Sequence, residues 1–151
     1  MNDNWGLSLA EGDFNGDQLS DLAVGAPGEK YGFYASAGAV TIIYGSDQGL
    51  NPKTATRFHQ DTPGLPGRNE ENDRWASNLT SGDFSQDGID DLIVGSPNES
   101  IGAKQQSGSV TILYGSTNGI SSQKSTRLHQ GSFGIQAVSY THLTLPTSIQ
   151  V

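Results

Sequence analysis

The chain repeats itself at a fixed interval of 70 residues, without a gap. Trp5 aligns with Trp75, and GDFNGDQLSDLAVGAP (12–27) with GDFSQDGIDDLIVGSP (82–97). Farther on, AVTIIYGSDQGL (39–50) aligns with SVTILYGSTNGI (109–120), and TRFHQ (56–60) with TRLHQ (126–130). Segments this far apart hold one register only if each repeat is a single structural unit. No stretch of useful length carries a helical apolar period, whereas short β-branched runs bounded by Gly, Asn, Asp and Ser recur throughout. The fold class is therefore all-β.

Four strands are expected per unit. In the first they are Trp5 to Asp13, where Leu7 and Leu9 alternate with Ser8; Asp21 to Ala26, apolar enough for burial on both faces; Ala39 to Tyr44, closed by a Gly45-Ser46 turn; and about Ala55 to Gln60, more polar and edge-like. The second unit repeats these near Trp75–Asp83, Asp91–Ser96, Ser109–Tyr114 and Ser125–Gln130. Four antiparallel strands in a unit of this length describe a β-propeller blade. One blade cannot cover its own two faces, so two blades are expected to be part of a ring, with neighbouring blades as partners. Asp61 to Asn72, rich in Pro and Gly, crosses from an outer strand to the next inner one. The expected boundaries are residues 1–62 for the first blade and 63–136 for the second.

Between the first two strands of each unit, oxygen-bearing side chains recur at every second position. They are Asp13, Asn15, Asp17 and Asp21 in one loop, and Asp83, Ser85, Asp87 and Asp91 in the other. Calcium takes six to eight oxygens at roughly 2.3–2.6 Å. Side chains at loop positions 1, 3, 5 and 9, with the carbonyl of Leu19 or Ile89 at position 7, supply most of that number. An EF-hand loop needs an acid at position 12, where Val24 and Val94 stand here. The loop closes at position 9 and a strand follows at once. Position 6 is Gly88 in the second loop but Gln18 in the first, where Gly16 is expected to take over the bend. Asp90 is expected to face solvent. With Ser85 a weaker ligand than Asn15, both sites are expected to bind in the range of extracellular modules, roughly 10⁻⁴–10⁻³ M.

These residues resemble the FG-GAP repeat propellers, the family of the integrin α-subunit headpiece and of many secreted bacterial proteins. The GAP part is Gly25-Ala26-Pro27 and Gly95-Ser96-Pro97. The FG part stands as Trp5-Gly6 and Trp75-Ala76, which keeps the aromatic and loses one glycine. The resemblance covers roughly residues 2–130. It implies structural calcium, two Ca²⁺ in all, at Asp13, Asn15, Asp17 and Asp21 and at Asp83, Ser85, Asp87 and Asp91, to which the loop reading adds the carbonyls of Leu19 and Ile89. It also implies that partners dock on the face opposite the calcium loops.

That face carries Tyr31, Phe33 and Tyr34, where the second unit has Ile101, Ala103 and Lys104. Aromatics that break the repeat form either a partner-binding loop or a cover for the blade edge. His59 and His129 recur with the repeat and read as structural blade-edge residues; Trp5, Trp75, Phe14 and Phe84 read as core or inter-blade packing. No catalytic constellation is visible: there is no G-x-S-x-G elbow, and the well-placed carboxylates belong to the loops. A net charge of -8 argues against nucleic acid and anionic membranes, and no apolar run is long enough to span a bilayer. Cysteine is absent, which excludes disulfides and thiolate metal sites.

The expected function is an extracellular or cell-surface adhesion module that binds protein or glycan. The alternative is the accessory propeller of a secreted, phospholipase-like hydrolase whose catalytic domain lies elsewhere. No signal peptide opens the chain, which is expected to be a two-blade fragment of a longer protein. VSYTHLTLPT (138–147) resembles a translated sequencing adapter, so residues 137–151 are expected to be a non-native tail; a diverged strand is the other reading.

Overall fold

The computed structural model describes residues 2–132 and 135. Eight strands form two four-stranded antiparallel sheets of identical meander order. The first sheet contains β1 (Ser8–Gly12), β2 (Asp21–Ala26), β3 (Ala39–Ser46) and β4 (Gly49–Phe58). The second contains β5 (Asn78–Gly82), β6 (Asp91–Ser96), β7 (Ser109–Leu113) and β8 (Ser125–Leu128). No helix occurs among the described residues. The expected tail lies outside them.

Two strands differ from expectation. β1 begins at Ser8 because Asn4 and Gly6 adopt positive φ and turn the chain first. β3 does not stop at Tyr44: Gly45 and Ser46 pair with Leu50 and Gly49, which moves the hairpin turn to Asp47-Gln48. A bulge between Ile42 and Tyr44 absorbs the extra length, and Gly49 takes the left-handed conformation that ends the turn.

Residues that share a face of the first sheet are directly paired. Ala10 lies opposite Ala23, Ala23 opposite Ile42, and Val40 opposite Phe58. That face packs on Leu92, Val94 and Leu113 of the second sheet, with Trp75, Ala76 and Phe14, to make one core lying between the blades. β1 and β5, the first strands of the two blades, run side by side. The equivalent face of the second blade, with Ile93, Val110, Ile112 and Leu128, is an open apolar groove of about 530 Å³. Equivalent faces thus differ in whether a blade covers them.

The same asymmetry corrects the reading of the aromatics. Trp75 is 0% exposed, with its indole N–H donating to Thr111 Oγ1 at 3.3 Å, whereas Trp5 is 59% exposed. Phe14 is buried and Phe84 exposed. These two aromatic positions are core only on the side where the other blade stands.

The connection into the second blade is stitched to the first. Asn72, Arg74 and Trp75 donate backbone N–H groups to the carbonyls of Ala35, Ser36 and Ala37 at 2.8–3.0 Å. Gly38, at φ +98°, bridges to Trp75; a Cβ there would lie 2.5 Å from the Trp75 nitrogen.

Candidate metal centres

The nine-residue loops sit between β1 and β2 and between β5 and β6. Both fold onto their first carboxylate. Asp13 accepts backbone N–H groups from Asp17 at 3.1 Å and Gln18 at 2.8 Å; Asp83 accepts from Asp87 at 3.0 Å and Gly88 at 2.8 Å. The loop amides, Gly88 foremost, hold the Asp83 carboxyl below the usual aspartate range. Asp17 and Asp87 each accept from the amide two residues on, at 2.9 and 3.0 Å. Asn15 Oδ1 accepts from the Asp17 amide at 3.3 Å.

Asp21 and Asp91 do a different job. Each is buried and receives two backbone N–H groups, one from its own loop and one from the end of the third strand. Phe14 and Gly45 donate to Asp21 at 2.7 and 2.8 Å, and Ser85 and Gly115 donate to Asp91, both at 2.9 Å. Burial pushes the Asp21 carboxyl above its ordinary range, and the Gly45 and Phe14 amides partly pull it back. No described backbone N–H donates to the carbonyls of Leu19 or Ile89, which stay available as acceptors. The donor set is all oxygen, as a hard cation requires, and the residues fit calcium.

Two details depart from expectation. Both loops need two left-handed residues, at positions 4 and 6: Gly16 and Gln18 in the first, Gln86 and Gly88 in the second (φ 61–86°). Gly16 therefore does not relieve Gln18. Each loop spends its single glycine at a different one of the two bends, and a glutamine takes the other. Asp90, expected in solvent, instead accepts the Asp13 N–H at 2.8 Å while its own N–H donates to the Asp13 carbonyl at 2.9 Å. With Gly16 against the Ile89 side chain, this pair clamps one loop to the next.

The opposite end of the sheets holds a cluster that the loop spacing did not reveal. Among the described residues, the set of three acids whose oxygens all lie within 4.8 Å of one another is Glu70, Asp73 and Glu99. The carboxylates of each loop do not converge to that degree, and backbone N–H groups of the loop occupy oxygens of Asp13, Asp17, Asp83 and Asp87. Arg127 reaches Glu99 at 3.4 Å, and the repeat-equivalent Arg57 pairs with Glu29 at 2.7 Å. That recurring Glu–Arg pair was the legible signal; Glu70 and Asp73 come from the connection and have no such mark.

Burial, then Glu99 and Glu70, push the Asp73 carboxyl up to about 7. Folded protein holds this proton more tightly than unfolded chain, so stability falls as pH rises from about 4 to about 7. In calcium-free buffer at pH 8, Asp73→Asn is expected to stabilise by on the order of 2 kcal/mol, a gain that vanishes below about pH 4. Urea titrations at both pH values measure it; an unchanged difference between them would contradict the burial.

Tyr31, Phe33 and Tyr34 sit at this same end, in the β2–β3 connection. Tyr31 stacks on His59 at 3.9 Å with Arg57 5.8 Å from its ring, and so covers the blade edge. Phe33 is 95% exposed and Tyr34 is also exposed. His59 thus packs as a structural residue, its Nδ1 within 3.1 Å of Asn69 Nδ2, and burial lowers its pKa.

The FG-GAP repeat family matches residues 5–43 and 75–113, which together hold β1, β2, the first part of β3, β5–β7 and both loops. The chain belongs to the FG-GAP repeat family. Its two sheets are accordingly two blades of a β-propeller. The FG-GAP chain is 38% identical over 114 residues to phosphatidylinositol-glycan-specific phospholipase D of Rattus norvegicus, covering 76% of this chain and 13% of that protein. The Homo sapiens protein of that name is 36% identical over 116 residues, 76% of this chain and 14% of its own length. Integrin alpha-5 of Xenopus laevis is 32% identical over 135 residues, 86% of this chain and 12% of that protein. This FG-GAP pair therefore spans about an eighth of the length of the relatives it matches. No helix among the described residues is long and apolar enough to cross a membrane.

Proposed function

We propose that this blade pair is a non-catalytic, calcium-stabilised module that works outside the cell and binds a protein or glycan. The observation that carries it is the duplicated loop: oxygen donors at positions 1, 3, 5 and 9, a free carbonyl at position 7, and a clamp through Asp90 to the neighbouring blade. Calcium would be held by Asp13, Asn15, Asp17, Leu19 and Asp21, and by Asp83, Ser85, Asp87, Ile89 and Asp91. Bound there, it offsets the mutual repulsion of three clustered carboxylates. At about 1 mM calcium and a dissociation constant near 10⁻⁴ M, each site stabilises the fold by about 1.4 kcal/mol. At cytosolic calcium levels the effect disappears, which is the chemical argument for an extracellular setting.

Partner binding is assigned to Phe33 and Tyr34, with Tyr31 as their anchor, since these exposed aromatics are mounted on a segment hydrogen-bonded to the next blade. The apolar groove over Ile93 and Ile112 is assigned to a further blade. A second reading, an accessory propeller of a secreted hydrolase, draws on the 38% identity to a phospholipase D. In either setting no catalytic role falls to these blades.

The test is thermal unfolding in 1 mM calcium and in chelator. Calcium is expected to raise the midpoint by about 10 °C, the equivalent of two sites. Asp17→Ala combined with Asp87→Ala is expected to remove most of that rise. A wild-type midpoint indifferent to calcium would overturn the metal reading.

A further inference from the structure

The Glu70–Asp73–Glu99 cluster lies at the strand ends remote from the loops, on the seam where the connection between the blades meets the second blade. Asp73 and Glu99 are almost wholly buried, and Glu70 is half-buried. Fully ionised, the three carboxylates outnumber the Arg127 guanidinium that pairs with Glu99, and uncompensated charge in a buried place is costly. Beside them stands Gln60, 1% exposed, from the end of the first blade. Its Nε2 donates to Glu99 Oε2 at 2.6 Å, so the amide head lies against the cluster. Its Oε1, on the same amide carbon, is buried with no hydrogen-bond partner. A buried carbonyl oxygen left bare is destabilising, and a cation ligand removes that cost. A cleft of about 360 Å³, lined by Arg68, Glu70, Glu99, Ser100 and Arg127 among others, opens the Glu70–Glu99 side of the cluster to solvent and has room for water ligands.

We propose that Glu70, Asp73, Glu99 and the Gln60 amide oxygen form a third cation site, for a hard divalent ion such as calcium. The ion takes the place of the proton that burial favours on the cluster and gives Gln60 Oε1 its missing partner. Four protein oxygens leave the remaining positions to water, which makes the site weaker than a fully caged one. Its ligands come from the first blade, the connection and the second blade, so occupancy locks the blades together at the end where Tyr31, Phe33 and Tyr34 are displayed. It needs no contribution from the loops and stands whether or not they bind calcium.

Equilibrium dialysis of calcium against the full 151-residue chain tests it. Asp73→Asn, which keeps an acceptor for the Glu70 N–H, is expected to bind one equivalent less than wild type with an unchanged far-UV spectrum. Glu99→Gln should do the same. In the Asp17→Ala, Asp87→Ala background one equivalent should remain, and adding Asp73→Asn should remove it. If the loop variant does not fold, the comparison of wild type with Asp73→Asn decides alone. Silent loops would show instead as a wild type that binds a single equivalent, lost in Asp73→Asn. Stoichiometry unchanged by Asp73→Asn and by Glu99→Gln overturns the third site and leaves the loop reading intact.

Discussion

Trp75→Ala is expected to cost about 3–5 kcal/mol, enough to unfold much of a chain of ordinary stability. The indole is wholly buried between the blades, and it satisfies Thr111 while its backbone N–H is held by Ala37. Removing it opens a cavity that the two sheets, pinned together along β1 and β5, cannot close. Trp5→Ala, at the same repeat position, is expected to cost about 0.5 kcal/mol or less because its ring stands in solvent. Urea midpoints of the two variants measure the contrast. Equal losses would mean that the blades do not pack as described.

Gly25→Ala is the second large effect, expected at about 3 kcal/mol, the upper end for overpacking. A Cβ on Gly25 would lie 2.5 Å from the Ala76 carbonyl oxygen and would also strike Ser8 Oγ. Ser8 can rotate, but the Ala76 carbonyl is backbone and also accepts the Ser8 hydroxyl at 2.7 Å. The glycine of the Gly-small-Pro segment is therefore where the next blade's Trp-Ala corner is seated. Gly95→Ala, in the equivalent motif, meets nothing closer than the Asn78 Cβ at 3.3 Å. It is expected to be neutral or to stabilise by up to about 0.5 kcal/mol, since Ala has less backbone entropy to lose in a strand than Gly. A comparable loss at both positions, read from thermal or urea unfolding, would show that the glycine serves strand geometry and not blade contact.

Much of the architecture is legible in the sequence. The register of the 70-residue repeat, the apolar β2 and β6, and the oxygen spacing of the loops are local patterns, and each appears as an element or loop at the expected place. The different turn after β3 has a local cause too: the bulge at Ile42/Tyr44 carries no distinctive residue, so Gly45 reads as a breaker in the sequence although it is a paired strand residue. The requirement for two left-handed bends per loop was hidden because each loop shows only one glycine.

The sequence by itself determined what is built within a blade: four strands, their order, the hairpin loop with its ligand spacing, and the family. These follow from periodicity and turn chemistry, which act over a few residues and so leave marks in one repeat. Only the tertiary structure decided which of Trp5 and Trp75 and which of Phe14 and Phe84 is buried, why Gly25 is confined and Gly95 is not, that Asp90 clamps the first loop, and that Gln60, Glu70, Asp73 and Glu99 meet. Those outcomes depend on what stands across the gap between blades. The repeat gives both copies nearly the same residues, and only the neighbour's presence, up to 77 positions away along the chain for the Asp13–Asp90 pair, makes them different.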